Sequence, residues 1–298
     1  MYLMSKFILT GATGFIGSNV ANMLLEKGHD VFIICRSKSN VKILSKFLKK
    51  ENIFRFDNNI NNLIDYFKKV KCDCVINMAS LVLVNHVTTD IEKLINSNLT
   101  FTTYILEAMR ICGTKNIINT GTSWQHYNNE EYNPVCLYAA TKEAFEKLLE
   151  YYVKAIGFKC ITLKLFDTYG EGDKRKKILN IIKEKSLSGE KLTLTKGEQQ
   201  LDLTHVDDVA SGYLKAFEYL DYIKYGEHKK YAICTGRRLN LKEIVSIFEK
   251  ETKLKANVDW GALDYRNREV MTPWSNYEVL PNWKSNISFE EGVRRFVK

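Results

Sequence analysis

The chain has 298 residues, 45% of them hydrophobic, and a formal net charge of +9. That length exceeds one small core and suits one large α/β unit, or a domain with a smaller appendage. No apolar run approaches the roughly 18 residues of a membrane span, and the opening residues show no leader pattern. The lysines are spread along the chain without an aromatic platform, so membrane and nucleic-acid roles are set aside and a cytoplasmic location is expected.

Seven cysteines, at 35, 72, 74, 112, 136, 160 and 234, are odd in number and scattered through apolar segments, as reduced thiols are. Cys72 and Cys74 lack the second cysteine or histidine pair that a zinc site needs, and no metal is expected.

In chain order, Lys6 to Thr10 (KFILT) reads as a buried strand. Gly11-Ala12-Thr13-Gly14-Phe15-Ile16-Gly17 follows directly and opens a helix running to about Lys27. Strand, glycine turn and helix together form a phosphate cradle. Glycine lets the backbone turn tightly and approach a pyrophosphate, and the helix N-terminus stabilises its charge. Val31 to Cys35 is a second strand. Where an NAD site would place an acid against the ribose 2'-hydroxyl, this chain has Cys35-Arg36-Ser37-Lys38, so Arg36 and Ser37 point to a 2'-phosphate and NADPH.

Ile53 to Phe56 is a third strand, ending in Asp57 and Asn58, which could bond an adenine. Cys74 to Ala79 is a fourth, with Ala79 and Ser80 at the end where ligands bind. A helix is expected from about Glu92 to Ile111, a fifth strand over Asn116 to Thr120, and a sixth over Lys159 to Leu165. Leu201 to Val209 is expected to return to the sheet and start another helix. Further helices are expected near Leu241 to Glu251 and from Ser288. The alternation implies a doubly wound, Rossmann-like parallel sheet with a smaller, interleaved C-terminal lobe. The expected division is 1–165 plus about 204–234 for the dinucleotide, and about 166–203 plus 235–298 for a substrate.

Between the fifth and sixth strands lies the stretch with most chemical content, Thr122 to Lys142. On a helix beginning after Pro134, Tyr138 and Lys142 share one face, where the ammonium would lower the phenol's pKa. Ser123, just upstream, could hold a carbonyl oxygen against that phenol.

The ordered set of GATGFIG, the Ser123 region, YAATK, LFDTYG, HVDDV and the closing Trp283 to Gly292 segment resembles the extended short-chain dehydrogenase/reductase family. That family comprises NAD(P)-dependent nucleotide-sugar epimerases, dehydratases and ketoreductases. The resemblance implies catalysis by Ser123, Tyr138 and Lys142, with Lys142 also on the nicotinamide ribose. It assigns the glycines to the pyrophosphate and Asp57 to the adenine, and puts Leu165 and Thr168 beside the cofactor. It also implies a homodimer and a nucleotide-diphosphate sugar held by the second lobe, with Trp124, Gln125, Asp167, Arg175 and Arg266 as candidate contacts.

Departures from the family narrow the reaction. Dehydratases carry an Asp-Glu pair where this chain has Trp124-Gln125, and neither an indole nor an amide exchanges protons at neutral pH. The family's asparagine after the sixth strand is Asp167, and an arginine before the returning aspartate is Leu201. The segment TSWQHYN followed by YAATK resembles the abequose and paratose synthase type of reductase. The expectation is an NADPH-dependent 4-ketoreductase of a nucleotide-linked 4-keto-6-deoxy or 3,6-dideoxy hexose, of the kind that serves surface polysaccharide. A 4-epimerase and a non-catalytic NADP-binding sensor or scaffold stand as alternatives.

Overall fold

The computed structural model describes residues 4–44 and 48–297; Met1 to Leu3, part of the opening segment read for a leader, lie outside them. Strands β1 (Lys6–Thr10), β2 (Asp30–Arg36), β3 (Ile53–Phe56), β4 (Cys74–Asn77), β5 (Asn116–Thr122), β6 (Lys159–Leu165) and β10 (His228–Ile233) form one parallel sheet. Its order is β10-β6-β5-β4-β1-β2-β3. Phe7, Ile8 and Leu9 are wholly buried, as a parallel strand covered on both faces requires. One face carries α1 (Phe15–Glu26) and α7 (Val206–Tyr219) over Leu9, Val20, Ile33, Ile161 and Val209. The other carries α2 (Ile60–Val70), α4 (Phe101–Cys112) and α5 (Leu137–Ile156) over Ile8, Phe67, Leu106, Phe145 and Leu149.

Register is marked by a polar row crossing the sheet. Thr10 Oγ1 donates to Asn77 Oδ1 at 2.8 Å, Asn77 Nδ2 to Asn119 Oδ1 at 3.3 Å, and Asn119 Nδ2 to Thr162 Oγ1 at 3.2 Å. Thr162 Oγ1 meets His228 Nε2 at 2.8 Å, and His228 Nδ1 meets Glu150 Oε2 at 3.0 Å. A one-residue slip would strand every one of these buried groups.

The helix expected from Glu92 to Ile111 is one rod in three parts. A short α3 (Ile91–Ile95) passes through a π-helical turn (Asn96–Thr100) into α4. Such turns mark functional positions. This one presents Asn98, whose amide accepts from Leu81 N at 2.7 Å and donates to Thr141 Oγ1 at 2.9 Å on the helix that carries Tyr138.

After Leu165 the chain leaves the main sheet. Here the structure corrects the expectation for Leu201 to Val209. Strand β9 (Gln200–His205) does not rejoin the main sheet; it pairs with β7 (Asp167–Tyr169) and β11 (Arg238–Asn240) in a sheet of three. Asp202 fixes it there by accepting from Thr235 N, Thr235 Oγ1 and Gly236 N at 2.8–2.9 Å. The seventh strand of the main sheet is β10, for which no strand had been expected. A two-stranded sheet of β8 (Leu192–Leu194) and β12 (Val258–Trp260), with α6 (Ile178–Ser188), α8 (Leu241–Thr252) and α9 (Phe289–Val297), completes the second lobe around Leu203, Ile244, Phe248 and Val293. Asp208 ties the lobe's closing segment to α7, accepting from Ser285 Oγ, Asn286 N and Ile287 N. Among the described residues no helix is long and apolar enough to cross a membrane, and the seven cysteines are unbridged.

Candidate active site

Two cavities meet at the carboxyl end of β5. The first, of about 430 Å³, is lined by Gly11, Gly14, Phe15, Ile16 and Gly17, by Met78 and Ser80, and by Tyr138, Lys142, Leu165 and Thr168. The glycine requirement is steric. A Cβ on Gly17 would lie 2.2 Å from Gly11 O, and Gly11 itself has φ +72° with Met78 and Ala79 backbone 2.7 Å from where its Cβ would sit. Gly14 N donates to Gly11 O at 3.0 Å and closes the turn that starts α1. Thr10 Oγ1 receives Met78 N and Ala79 N at 3.1 and 3.0 Å, so β1 holds β4's end open against this turn. An open helix N-terminus over a backbone that no side chain could occupy fits a pyrophosphate.

Thr13 and Ala79 are half-buried and flank lining residues Gly14, Met78 and Ser80 without lining the cavity themselves. Arg36, Ser37, Asp57 and Asn58 are exposed at the ends of β2 and β3, outside it. Arg55 organises that rim by donating through Nη1 to the carbonyls of Arg36, Ser37 and Ser39 at 3.2, 2.6 and 3.3 Å. Asp57 accepts from Asn59 N and Asn62 Nδ2. Arg55 therefore sets a second cation beside Arg36, while the Asp57 carboxylate lies on the adjacent strand end, one residue past Phe56, the register partner of Arg36.

The second cavity, of about 470 Å³, runs from Ser123 and Trp124 into the second lobe past Phe166, Asp167, Lys177, Leu201, Arg266 and Trp274. Its floor is aromatic. His126 stacks on Trp274 with centroids 4.0 Å apart, and Phe166 lies parallel to the same indole. Lys177 Nζ is 3.3 Å from Asp167 Oδ1 and 5.4 Å from the Trp124 ring centre, so the acid that replaces the family's asparagine has its own cation. Arg266 forms a two-pronged pair with Glu269 at 2.8 and 2.9 Å.

Ser123 and Trp124 line both cavities, and Tyr138 and Lys142 lie on the first beside them. Tyr138 is 8% and Lys142 3% exposed. The structure corrects the expected electrostatics of this pair. Burial dominates at Tyr138 and pushes its phenol above the ordinary range, while the Ser80 and Thr122 side chains at its hydroxyl pull the other way. Burial also brings Lys142 down to about 8, with Glu146 opposing. Desolvation is the largest influence on each group, because both are buried.

Two candidate substrate contacts are placed elsewhere. Gln125 is wholly buried. Its amide donates to Glu143 Oε2 at 2.5 Å and Glu146 Oε1 at 2.9 Å, and its carbonyl accepts from Thr122 N at 2.9 Å. It points into the core because two buried carboxylates there require donors. Arg175 lines the first cavity, not the second. It is clamped by both Asp173 oxygens and the Thr168 carbonyl, and sits 4.7 Å from the centre of the Phe15 ring. Sequence reasoning missed Thr122 and Lys177 as neighbours of the site. The signal for Lys177 was present in the cluster Lys174-Arg175-Lys176-Lys177.

A family model described as the NAD dependent epimerase/dehydratase family matches residues 7–234. The chain is 31% identical over 289 residues to a CDP-abequose synthase of Yersinia pseudotuberculosis, covering 95% of this chain and 96% of that protein. It is 27% identical to a UDP-glucuronate 4-epimerase of Thermodesulfobacterium geofontis, covering 99% and 95%. The fold is shared with a UDP-glucose 4-epimerase of Thermotoga maritima solved with UDP-glucose, at a TM-score of 0.84, 22% identity and coverage of 98% and 97%. The chain belongs to the NAD dependent epimerase/dehydratase family, and is an NAD(P)-dependent enzyme of the extended short-chain dehydrogenase/reductase type.

Proposed function

We propose that this enzyme is an NADPH-dependent ketoreductase that reduces the 4-keto group of a nucleotide-linked 6-deoxy or 3,6-dideoxy hexose. The observation that carries the reading is the seam between the cavities, where Ser123 lines both and Tyr138 and Lys142 border the first, with no ionisable side chain at 124 or 125. A dehydratase needs an acid and a base there, and Gln125 is turned into the core.

The cofactor, when bound along the glycine turn, supplies the hydride to the ketone carbon. Ser123 and the Tyr138 hydroxyl would hold the ketone oxygen, and Tyr138 would pass its proton to the alkoxide, giving a secondary alcohol. A phenol kept protonated by burial suits that role as acid. Lys142 would hold the ribose and compensate the phenolate left behind. Residues 1–165 with about 204–234 would hold the cofactor, with Arg36 on the 2'-phosphate. Residues about 166–203 and 235–298 would hold the nucleotide sugar, with Asp167, Lys177 and Arg266 at its polar groups and the Trp274 wall against its deoxygenated face. The CDP-abequose synthase relative supports this choice. Exposed Ile95, Leu148 and Tyr151 on α3 and α5 are the surface on which a homodimer would form.

The epimerase relatives support a second reading, oxidation and re-reduction at the same carbon on a retained cofactor. Loss of NADPH absorbance on mixing with CDP- and dTDP-linked 4-keto-6-deoxy and 4-keto-3,6-dideoxy hexoses decides between them. One NADPH consumed per sugar is expected. No NADPH loss with these ketones, together with interconversion of the corresponding 4-hydroxy nucleotide sugars without net NADPH consumption, would replace the reductase by the epimerase.

A further inference from the structure

One turn beyond Lys142, on the same face of α5, stands Glu146, 1% exposed. Its Oε1 receives Lys164 Nζ at 2.8 Å and Gln125 Nε2 at 2.9 Å, and the partly exposed Lys230 ammonium lies 3.0 Å from Oε2. Lys164 is itself 1% exposed, on the apolar strand β6, one residue before its end. Glu143 adds a second carboxylate, 3.8 Å from Lys164 and 3.4 Å from the surface Lys147. The groups facing this cluster are thus Lys142, Glu143 and Glu146 from α5, Lys164 from β6 and Lys230 from β10. His126 and the His228 and Glu150 pair stand at its margin.

Burying two carboxylates and two ammoniums costs several kcal/mol per ion before their attraction is counted, and an apolar filling would serve stability as well. The cluster's position, one helical turn along α5 from the candidate catalytic lysine, gives it another use. We propose that Glu146 is a positioning residue for the Tyr138 and Lys142 pair, supplying the buried negative charge that keeps Lys142 an ammonium against the opposing charge of Lys164.

This rests on the reading of Tyr138 and Lys142 as catalytic. The balance is visible in the groups themselves. Burial works against the charge on Glu146, yet the Lys164 and Lys230 ammoniums outweigh it and bring the carboxyl down to about 2. At Lys142 burial is the largest influence, Glu146 favours the ammonium and Lys164 opposes it. Neutralising Glu146 would leave the buried Lys142 and Lys164 ammoniums with Glu143 as the remaining carboxylate of the cluster. Neutralising Lys164 would do the reverse.

The test is the titration of Lys142 in full-length protein carrying 13C at the lysine ε-carbons, with the Lys142 signal identified by its loss in Lys142→Met. No substrate is required. Glu146→Gln should move the midpoint to lower pH by about one unit or more, and Lys164→Met should move it to higher pH. Opposite shifts support the proposal, and a purely structural role predicts none. A midpoint unmoved in both, or displaced the same way in both, overturns it. Should Glu146→Gln not fold, Lys164→Met decides alone: an alkaline shift supports the proposal and an unmoved midpoint rejects it. The functional reading fails separately, if Tyr138→Phe keeps full turnover whatever the lysine titration gives.

Discussion

The two cavities are built by different means. The first takes its shape at one end from the backbone of a glycine turn and the sheet register behind it, and elsewhere from side chains such as Phe15, Met78, Tyr138 and Arg175. The second is walled by side chains brought together from 84, 123–135, 166–202, 241 and 263–274. A backbone wall tolerates almost no change in its turn but much change around it. A side-chain wall can be retuned one residue at a time, which is how one fold serves many sugars.

Substitutions can break or sharpen that contrast. The largest effect should come at the seam. Tyr138→Phe is expected to lower kcat by about 10³-fold or more while NADPH affinity, measured by fluorescence titration, changes little. Next, Gly17→Ala places a carbon where only 2.2 Å separates it from Gly11 O. It should weaken NADPH by at least about 30-fold, on the scale of a strained core substitution, and leave nucleoside diphosphate binding in place. Equal loss of both ligands by calorimetry would show that the cavities are not independent. Trp274→Ala should raise KM for the nucleotide sugar by about tenfold with kcat and NADPH affinity kept, since it removes a stacking wall and no proton; a drop in NADPH affinity would contradict the division. Arg36→Ala should weaken NADPH by about tenfold and NADH hardly at all, as loss of an exposed phosphate contact does.

The pH profile probes the seam without mutation. Lys142 is held at about 8, below its ordinary value, and Tyr138 above its own. As pH rises the lysine therefore loses its proton first, and kcat/KM should fall through about 8 rather than 10. At the acid end, Glu146 sits at about 2 against an ordinary 4.5. Its contribution to stability is fully present above about 4.5 and is lost as pH falls toward 2, which acid unfolding followed by circular dichroism would register.

Much of the first cavity was legible because its determinants are local. KFILT, the glycine turn and the helix after it are contiguous, and the strands over Ile53 to Phe56 and Lys159 to Leu165 stand where apolar runs between turn residues put them. What misled was long-range. LDLTHV has the look of a sheet strand, but Asp202 needs the donors of Thr235 and Gly236, and those lie in the second lobe. Gln125 occupies the second place of the dehydratases' Asp-Glu pair, and only its buried partners Glu143 and Glu146 decide which way it turns. Two clues to that cluster were nevertheless present in the sequence. A lysine inside the apolar strand KCITLKL demands a buried carboxylate, and Glu146 lies four residues after Lys142 on one helical face. The sign of the Tyr138 shift was out of reach, because spacing gives proximity but not the depth of burial that reverses it.

The polar row that crosses the main sheet also sets an order in time. Its members come from positions 10, 77, 119, 162 and 228, so during synthesis it grows outward from β1 strand by strand and waits for the edge strand β10 to finish. Until His228 has emerged, β6 is a bare edge, with a row of unpaired amides and the Thr162 hydroxyl beneath it. Chains that stop just short of that strand would carry two wound halves and an open template, the form most prone to join its own kind.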